Sequence, residues 1–260
     1  QFYDGVINVD LTSNIKLTSL TGYVRNKYDQ NTSGTLNQFA ASTALFGVNG
    51  NYIRNFYTTK KFSQEVRLAG TILKPLEWML GAFYTDEKSN SRQDGFAIDP
   101  ATGRVAGQFF TFYFPSTFKE KAIFGDLTWH LTPRFQVEGG LRHSHNDQTY
   151  FEADTGPRFP TPVTFSKVSK DNTTTFLVSS KYEFTDDAMV YARIASGYRP
   201  GGPQTAENMA ASRPLNEDLL GRGVRMRTIY LDSVRTNRPT VEHATWLARL
   251  GGRVRTVPSL

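Results

Sequence analysis

Tight breaks alternate with long polar stretches along this chain, and the runs between them are built like strands. The tight breaks are Thr12-Ser13-Asn14, Leu73-Lys74-Pro75, Thr132-Pro133-Arg134 and Thr185-Asp186-Asp187. The long polar stretches fall at 29–59, 90–118 and 153–170, and a fourth opens after Tyr198. No feature constrains the fold more. A soluble sandwich has no physical reason to sort its connections by length. A barrel that crosses an outer membrane carries short turns at one end and long loops at the other.

Eight strands are predicted before residue 201, at roughly 5–11, 15–28, 60–70, 76–88, 119–131, 135–152, 172–184 and 188–198. Several exceed the five or six residues usual in globular sheets. A tilted membrane strand needs about 9–11. Around the third tight break, Ile123, Leu127, Trp129 and Leu131 share one face, and Phe124, Asp126, Thr128 and His130 the other. Beyond it, Phe135, Val137, Gly139 and Leu141 oppose Gln136, Glu138, Gly140 and Arg142. Phe62, Val66 and Leu68 oppose Ser63, Glu65 and Arg67, and Phe176, Val178, Tyr182 and Phe184 oppose Thr175, Lys181 and Glu183. Period two places each set on one side of a sheet. The faces of 15–28 and 76–88 stay open. In a soluble core, Glu65, Arg67, Glu138 and Arg142 would each need a partner; facing a water-filled lumen they need none. Trp78, Trp129, Phe135, Tyr182, Phe184 and Tyr191 cluster near the tight turns, as an interfacial aromatic belt would. Aromatics are also favoured in strands generally.

The fold class is therefore all-β, an antiparallel transmembrane β-barrel fragment of about eight strands, with a short α/β-like C-terminal tail. No apolar run is long enough for a membrane helix. The mean hydropathy of −0.44 is compatible with barrel strands, which need an apolar residue only at every second position. The chain has no cysteine, which excludes disulfides and thiolate metal sites. Its net charge of +6 hints at an acidic partner, but the excess is uneven. Residues 1–200 hold 21 Lys and Arg against 19 acids, and residues 201–260 hold nine Arg, no Lys and five acids. All 19 Phe precede residue 201. These shifts divide the chain into 1–204, a partial barrel, and 205–260, a basic tail of separate origin. In the tail, Val224–Leu231 reads as a strand, Val241–Leu250 as a helix and Arg253–Val257 as a second strand. Gln1 opens in what reads as mid-domain, so a longer parent protein is expected.

The segment Lys181–Pro203 reads strand, tight turn, strand and Gly197-Tyr198-Arg199-Pro200-Gly201-Gly202. It closely resembles TonB-dependent outer-membrane receptors. So do Phe62-Ser63-Gln64-Glu65-Val66-Arg67-Leu68 and Trp78-Met79-Leu80-Gly81-Ala82-Phe83-Tyr84. The resemblance covers about 1–204. It implies a 22-stranded barrel filled by an N-terminal plug, in the outer membrane of a Gram-negative bacterium. It also implies uptake of a scarce nutrient, most often a ferric siderophore, driven by the TonB complex. A plug and TonB box are expected in the intact protein. Outer-membrane lipid is the implied surroundings, with no nucleic-acid partner and no cofactor. Residues 219–258 weakly resemble the effector region of some LuxR-type regulators, through Arg222–Tyr230 and Gly251–Pro258, without a helix-turn-helix.

Candidate ligand contacts lie in the loops. Gln108–Pro115 carries Phe110, Phe112 and Tyr113, whose faces suit siderophore rings or other apolar groups. Loop packing or a strand extension would explain the same cluster. Tyr198 and Arg199 sit where a strand turns outward, and Arg199 suits an anionic ligand or a wall carboxylate. His143 and His145 share a strand face, but no third metal ligand is identifiable, and no metal is assigned. Asp99-Pro100-Ala101-Thr102-Gly103 is a turn. No catalytic signature is present, so the chain is not read as an enzyme. The alternative is a soluble all-β binding module or adhesin whose apolar face packs on a second sheet.

Overall fold

The computed structural model describes residues 1–34, 36–186, 188–199 and 224–235. Its strands are β1 (Phe2–Thr12), β2 (Ile15–Ser33), β3 (Gly50–Leu73), β4 (Leu76–Ile98), β5 (Val105–Tyr113), β6 (Ser116–Thr132), β7 (Phe135–Thr155), β8 (Val163–Thr185), β9 (Ala188–Arg199) and β10 (Val224–Arg235). One helix, α1 (Leu36–Phe46), lies between β2 and β3. All ten strands form one antiparallel sheet.

The strands meet in sequence order with one irregularity. The lower half of β4 pairs with β6, from Leu76↔Trp129 to Ser89↔Ser116. Its upper half pairs with β5, from Arg92↔Tyr113 to Ile98↔Val105. β5 and β6 are therefore one strand line interrupted at Phe114-Pro115, where Pro115 has no N–H to give. The gap keeps two flanking bonds: the Phe114 amide donates to the Ser91 carbonyl (2.8 Å), and the Phe151 amide to that of Pro115 (3.0 Å). Counted as lines, the sheet has eight strands before residue 201, at the eight predicted positions.

The tight breaks join strands paired as antiparallel hairpins, each break beside a register slip: Asp10/Thr12, Thr71/Leu73, His130/Thr132 and Glu183/Thr185. Such bulges strengthen local twist. The threonines also cap the turns. Thr12 Oγ1 accepts from the Asn14 amide (3.2 Å), and Thr132 Oγ1 from that of Arg134 (3.3 Å).

The long polar stretches differ from expectation. They are mostly strand, not loop: β3 and β4 run 24 and 23 residues, twice what a membrane crossing needs. Before β9, the strands are connected at that end by 34–49, 99–104 and 156–162. The physical reason is that the hydrogen-bonded ladder continues above the bilayer, where neither face has to be apolar. Cross-strand side chains hold these extensions. Arg54 grips Asp29 through two bonds, 3.0 and 2.7 Å, and Tyr52 stacks on Phe96 at 5.1 Å.

Register settles the faces that the sequence left open. Leu17 lies opposite Leu68, Leu68 opposite Leu80, and Leu80 opposite Gly125. Trp78 meets Leu127, and Val178 meets Ile194. These join Ile123, Leu127, Trp129, Leu141 and Phe176 in one continuous apolar surface. It is uncovered: Ile123 is 67% exposed, Leu141 63% and Leu80 60%. Among the described residues no second sheet packs on it, which overturns the sandwich alternative. An apolar face this broad, standing open on the wall, is the surface that acyl chains cover.

The composition break near residue 204 falls among residues outside the described ones. So do Val241–Leu250 and Arg253–Val257. The expected strand at 224–231 is β10, and it pairs with β9 from Val224↔Arg199 to Arg235↔Ala188.

Candidate functional site

At the end of the sheet opposite the tight turns, a small core closes the rim. Ala97 of β4 and Phe109 and Phe110 of β5 are fully buried, with Ala41 and Phe46 of α1, Val48, Ile53, Phe112 and Phe159 packed around them. Consecutive strand residues normally point to opposite faces. Here Phe110 pairs with Gly95 and Gln108 with Phe96, which leaves Phe109 as a bulged residue, and the two neighbouring phenylalanines bury together. Their rings meet edge to face at 4.9 Å, and Phe110 stacks on Phe112 at 4.2 Å. Phe112 also touches Phe159 (5.6 Å) and Phe114 (6.2 Å). Two glycines make room. A Cβ on Gly95 would come within 2.3 Å of the Phe110 ring, and one on Gly107 within 2.2 Å of the Phe46 ring. The Arg158 amide donates to the Phe109 carbonyl (2.9 Å), which brings the β7–β8 connection over the same core.

Phe110, Phe112 and Tyr113 come together on β5, to different degrees. Phe110 is fully covered, Phe112 half-buried, and Tyr113 39% exposed. Tyr198 is elsewhere, on β9, with β7 and β8 between. Its hydroxyl donates to Asp171 of β8 (2.8 Å). Arg199 ends β9, and its side chain lies outside the described residues. Sequence reasoning missed α1, Phe46 and Phe159. The signal available for them was the pair of in-strand glycines, Gly95 and Gly107, which mark a close approach by another group.

The inner face below the rim is charged, and several of its charges are partnered. Arg142 donates to Glu120 (2.7 Å) and Ser144 (3.1 Å), and lies over the rings of Phe83 (5.1 Å) and Phe124 (5.5 Å). Arg67 pairs with Glu65, Glu138 accepts from Ser179 (2.7 Å), and Lys181 pairs with Glu183 (2.7 Å). A wet lumen does not demand these contacts, but neighbouring strands supply them. Higher up, the Tyr150 hydroxyl donates to Glu152 (2.9 Å). Burial, and then that bond, push its ionisation above the usual phenol range.

His143 and His145 face outward and bond to Thr174 (2.9 Å) and Asn172 (2.8 Å). Among the described residues, no three His, Cys, Asp or Glu side chains gather as a metal site. The Asp99–Gly103 turn forms as read. Asp99 accepts from the Ala101 amide (2.9 Å) and the Thr102 hydroxyl (2.8 Å), while Gly103 takes a φ of +68°.

This wall is similar to known proteins. Its fold matches the ferric yersiniabactin uptake receptor FyuA of Yersinia pestis with a TM-score of 0.67 at 18% identity, over 91% of this chain and 33% of that one. The siderophore receptor PiuA of Acinetobacter baumannii gives 0.65 at 14% identity, over 89% and 37%. In sequence, 88 residues are 40% identical to the pesticin receptor of Yersinia enterocolitica, which is 34% of this chain and 13% of the relative. The matched stretch thus spans about an eighth of the curated relative's length. The model of the family described as TonB dependent receptor-like, beta-barrel, matches residues 3–230. The chain belongs to this family of outer-membrane β-barrel receptors.

Proposed function

We propose that the chain forms part of the wall and rim of a TonB-dependent receptor that imports a ferric siderophore across the outer membrane. One observation carries the reading: register gives a continuous apolar outer face and a charged inner face, closed above by an aromatic rim. An aqueous passage through lipid needs that arrangement. The siderophore is inferred from relatives named for ferric yersiniabactin uptake and siderophore reception. Coupling to the TonB complex follows from the family. Phe112 offers an aromatic face to the ligand and Phe110 supports it by stacking, whereas Tyr113, opposite Arg92 and Ala153, stands on the outward side of the rim; Tyr198 is assigned a polar contact and Arg199 a cationic one.

The test is growth and radio-iron uptake in iron-starved cells of the source strain, with and without the gene, supplied with phenolate, catecholate and citrate chelates. Loss of uptake of one chelate class, restored by the gene but about tenfold less by Phe112→Ala, is the expected result. Equal uptake of every chelate by the deletion strain refutes it.

The tail is part of the same reading. We take residues 1–204 as the barrel part and 205–260 as a basic segment of separate origin, with β10 as a strand added at the edge. Loss of phenylalanine and lysine after that point supports this. Amplification across codons 195–225 from the source genome tests it, and one uninterrupted product encoding both halves counts against it.

A further inference from the structure

A charge pattern just above the apolar band has no part in moving a ligand through a pore. On the outward face, Arg25 of β2 lies directly opposite Lys60 of β3, and Lys60 directly opposite Lys88 of β4. All three are exposed. Neighbouring strands are about 4.8 Å apart, so three cations stand side by side in one row of the pleat. Like charges directly opposite destabilise a strand pair. Among the described residues, none of the three has a carboxylate ion-pair partner. The adjacent inner-face position shows the contrast: Lys61 lies opposite Glu87 and pairs with it at 3.3 Å. Lys119 and Lys170 continue the outward band, each with one acid, Asp86 at 3.8 Å and Asp147 at 3.2 Å.

The height of this band fixes its surroundings. Arg25 lies ten residues past Ile15, Lys60 thirteen before Leu73, Lys88 twelve past Leu76, Lys119 thirteen before Thr132 and Lys170 fifteen before Thr185. A strand tilted about 45° gains roughly 2.3 Å of height per residue. The cations therefore stand about 23–35 Å above the tight turns, at or beyond the far edge of an apolar band about 25 Å tall. Short turns are periplasmic, so that edge is the headgroup layer of the leaflet facing the exterior. One outward step below the row lie Tyr23 and Phe62, opposite each other and each 38% exposed. An occupant with an anionic head and acyl chains meets both surfaces at once, whereas a soluble anion uses only one.

We propose that Arg25, Lys60 and Lys88 form a binding row for the phosphate groups of lipid headgroups in the outer leaflet. The bound phosphate offsets the repulsion between the three cations and fixes the wall's depth in the membrane. The proposal rests on the outward face meeting lipid, not on which ligand is carried.

The test uses the full chain, folded in detergent micelles doped with lipid A or with its dephosphorylated form. The double variant Lys60→Gln/Lys88→Gln is compared with wild type and with Lys61→Gln on the inner face. Binding of lipid A is expected to weaken about thirtyfold in the double variant, or about fivefold per cation removed. Lys61→Gln should bind as wild type, and dephosphorylated lipid as poorly as the double variant. Gel mobility before and after heating reports folding, and Arg25→Gln replaces the double variant if that one does not fold. Equal binding by wild type and the cation variants overturns the proposal. So does equal binding of the dephosphorylated lipid. Binding of inorganic phosphate as tightly as lipid A also overturns it, because the row then serves a soluble anion.

Discussion

Leu141→Arg is the sharpest probe of which face is wet. Leu141 is 63% exposed. In a soluble protein, replacing so exposed a leucine by a charged residue changes stability by no more than about 0.5 kcal/mol. In this wall it sits six residues past Phe135, where β7 leaves its tight turn. At roughly 2.3 Å of height per residue this is about 14 Å above the turn, near the middle of the hydrocarbon. An arginine there costs about 2–4 kcal/mol, falling to about 0–1 near an interface. Leu131→Arg, one residue before Thr132 at the turn, should then cost about 0–1 kcal/mol. Thr175→Arg, on the inner face but directly opposite Arg142, should cost no more than about 1 kcal/mol. Urea titrations of folding into phosphatidylcholine vesicles, read by fluorescence of Trp78 and Trp129, give all three values. The reasoning fails if Leu141→Arg and Thr175→Arg shift the midpoint equally, or if Leu131→Arg is the costlier of the two leucine changes.

Two further outcomes follow from the rim. Phe110→Ala removes a fully buried ring from a core built on three residues. It should cost about 3–5 kcal/mol locally and free α1, seen as faster proteolysis between residues 34 and 49 with the membrane part intact. Gly107→Leu should do the same by pushing Phe46 away, since even a Cβ would lie 2.2 Å from its ring. In the Asp99 turn, the Thr102 hydroxyl and then the Ala101 amide hold the Asp99 carboxyl below its ordinary value of 3.8. A depressed carboxyl contributes stability that is fully present above that value and lost as pH falls through the folded one. Amide exchange at Ala101 and Gly103 should therefore rise, beyond its intrinsic pH dependence, as pH drops below about 4. Asp99→Ala should exchange fast throughout, and pH-independent protection would count against the turn's ionic basis.

How much of this was legible in the sequence varied with depth in the membrane. Below the rim, one solvent is oil and the other water, so the two faces had to differ. Ile123, Leu127 and Leu141 were assigned from alternation alone, as were the four turns. Above the bilayer both faces are wet, and the alternation disappears. Thr58-Thr59-Lys60-Lys61 in β3 and Lys88–Arg92 in β4 carry no period-two signal, which is why strands there looked like loops. β2 and β4 needed their neighbours: only the Leu17↔Leu68 and Leu68↔Leu80 pairings reveal their outward sides. α1 has no acidic residue in its first turn and no basic one in its last, and forms where Phe46 and Ala41 can pack. The aromatic run around Phe110 showed that rings would cluster there. It did not show that a bulge at Phe109 would put two consecutive rings into one core.

The interruption at Phe114-Pro115 divides the wall into two registers that can change independently. A residue inserted within β6 would turn every later side chain over, putting Asp126 into lipid and Leu127 into the lumen. A residue inserted at the proline joint displaces only β5 and the rim above it. Selection can therefore lengthen, shorten or re-aim the exterior crown through this joint while the membrane-embedded pattern beneath stays in phase.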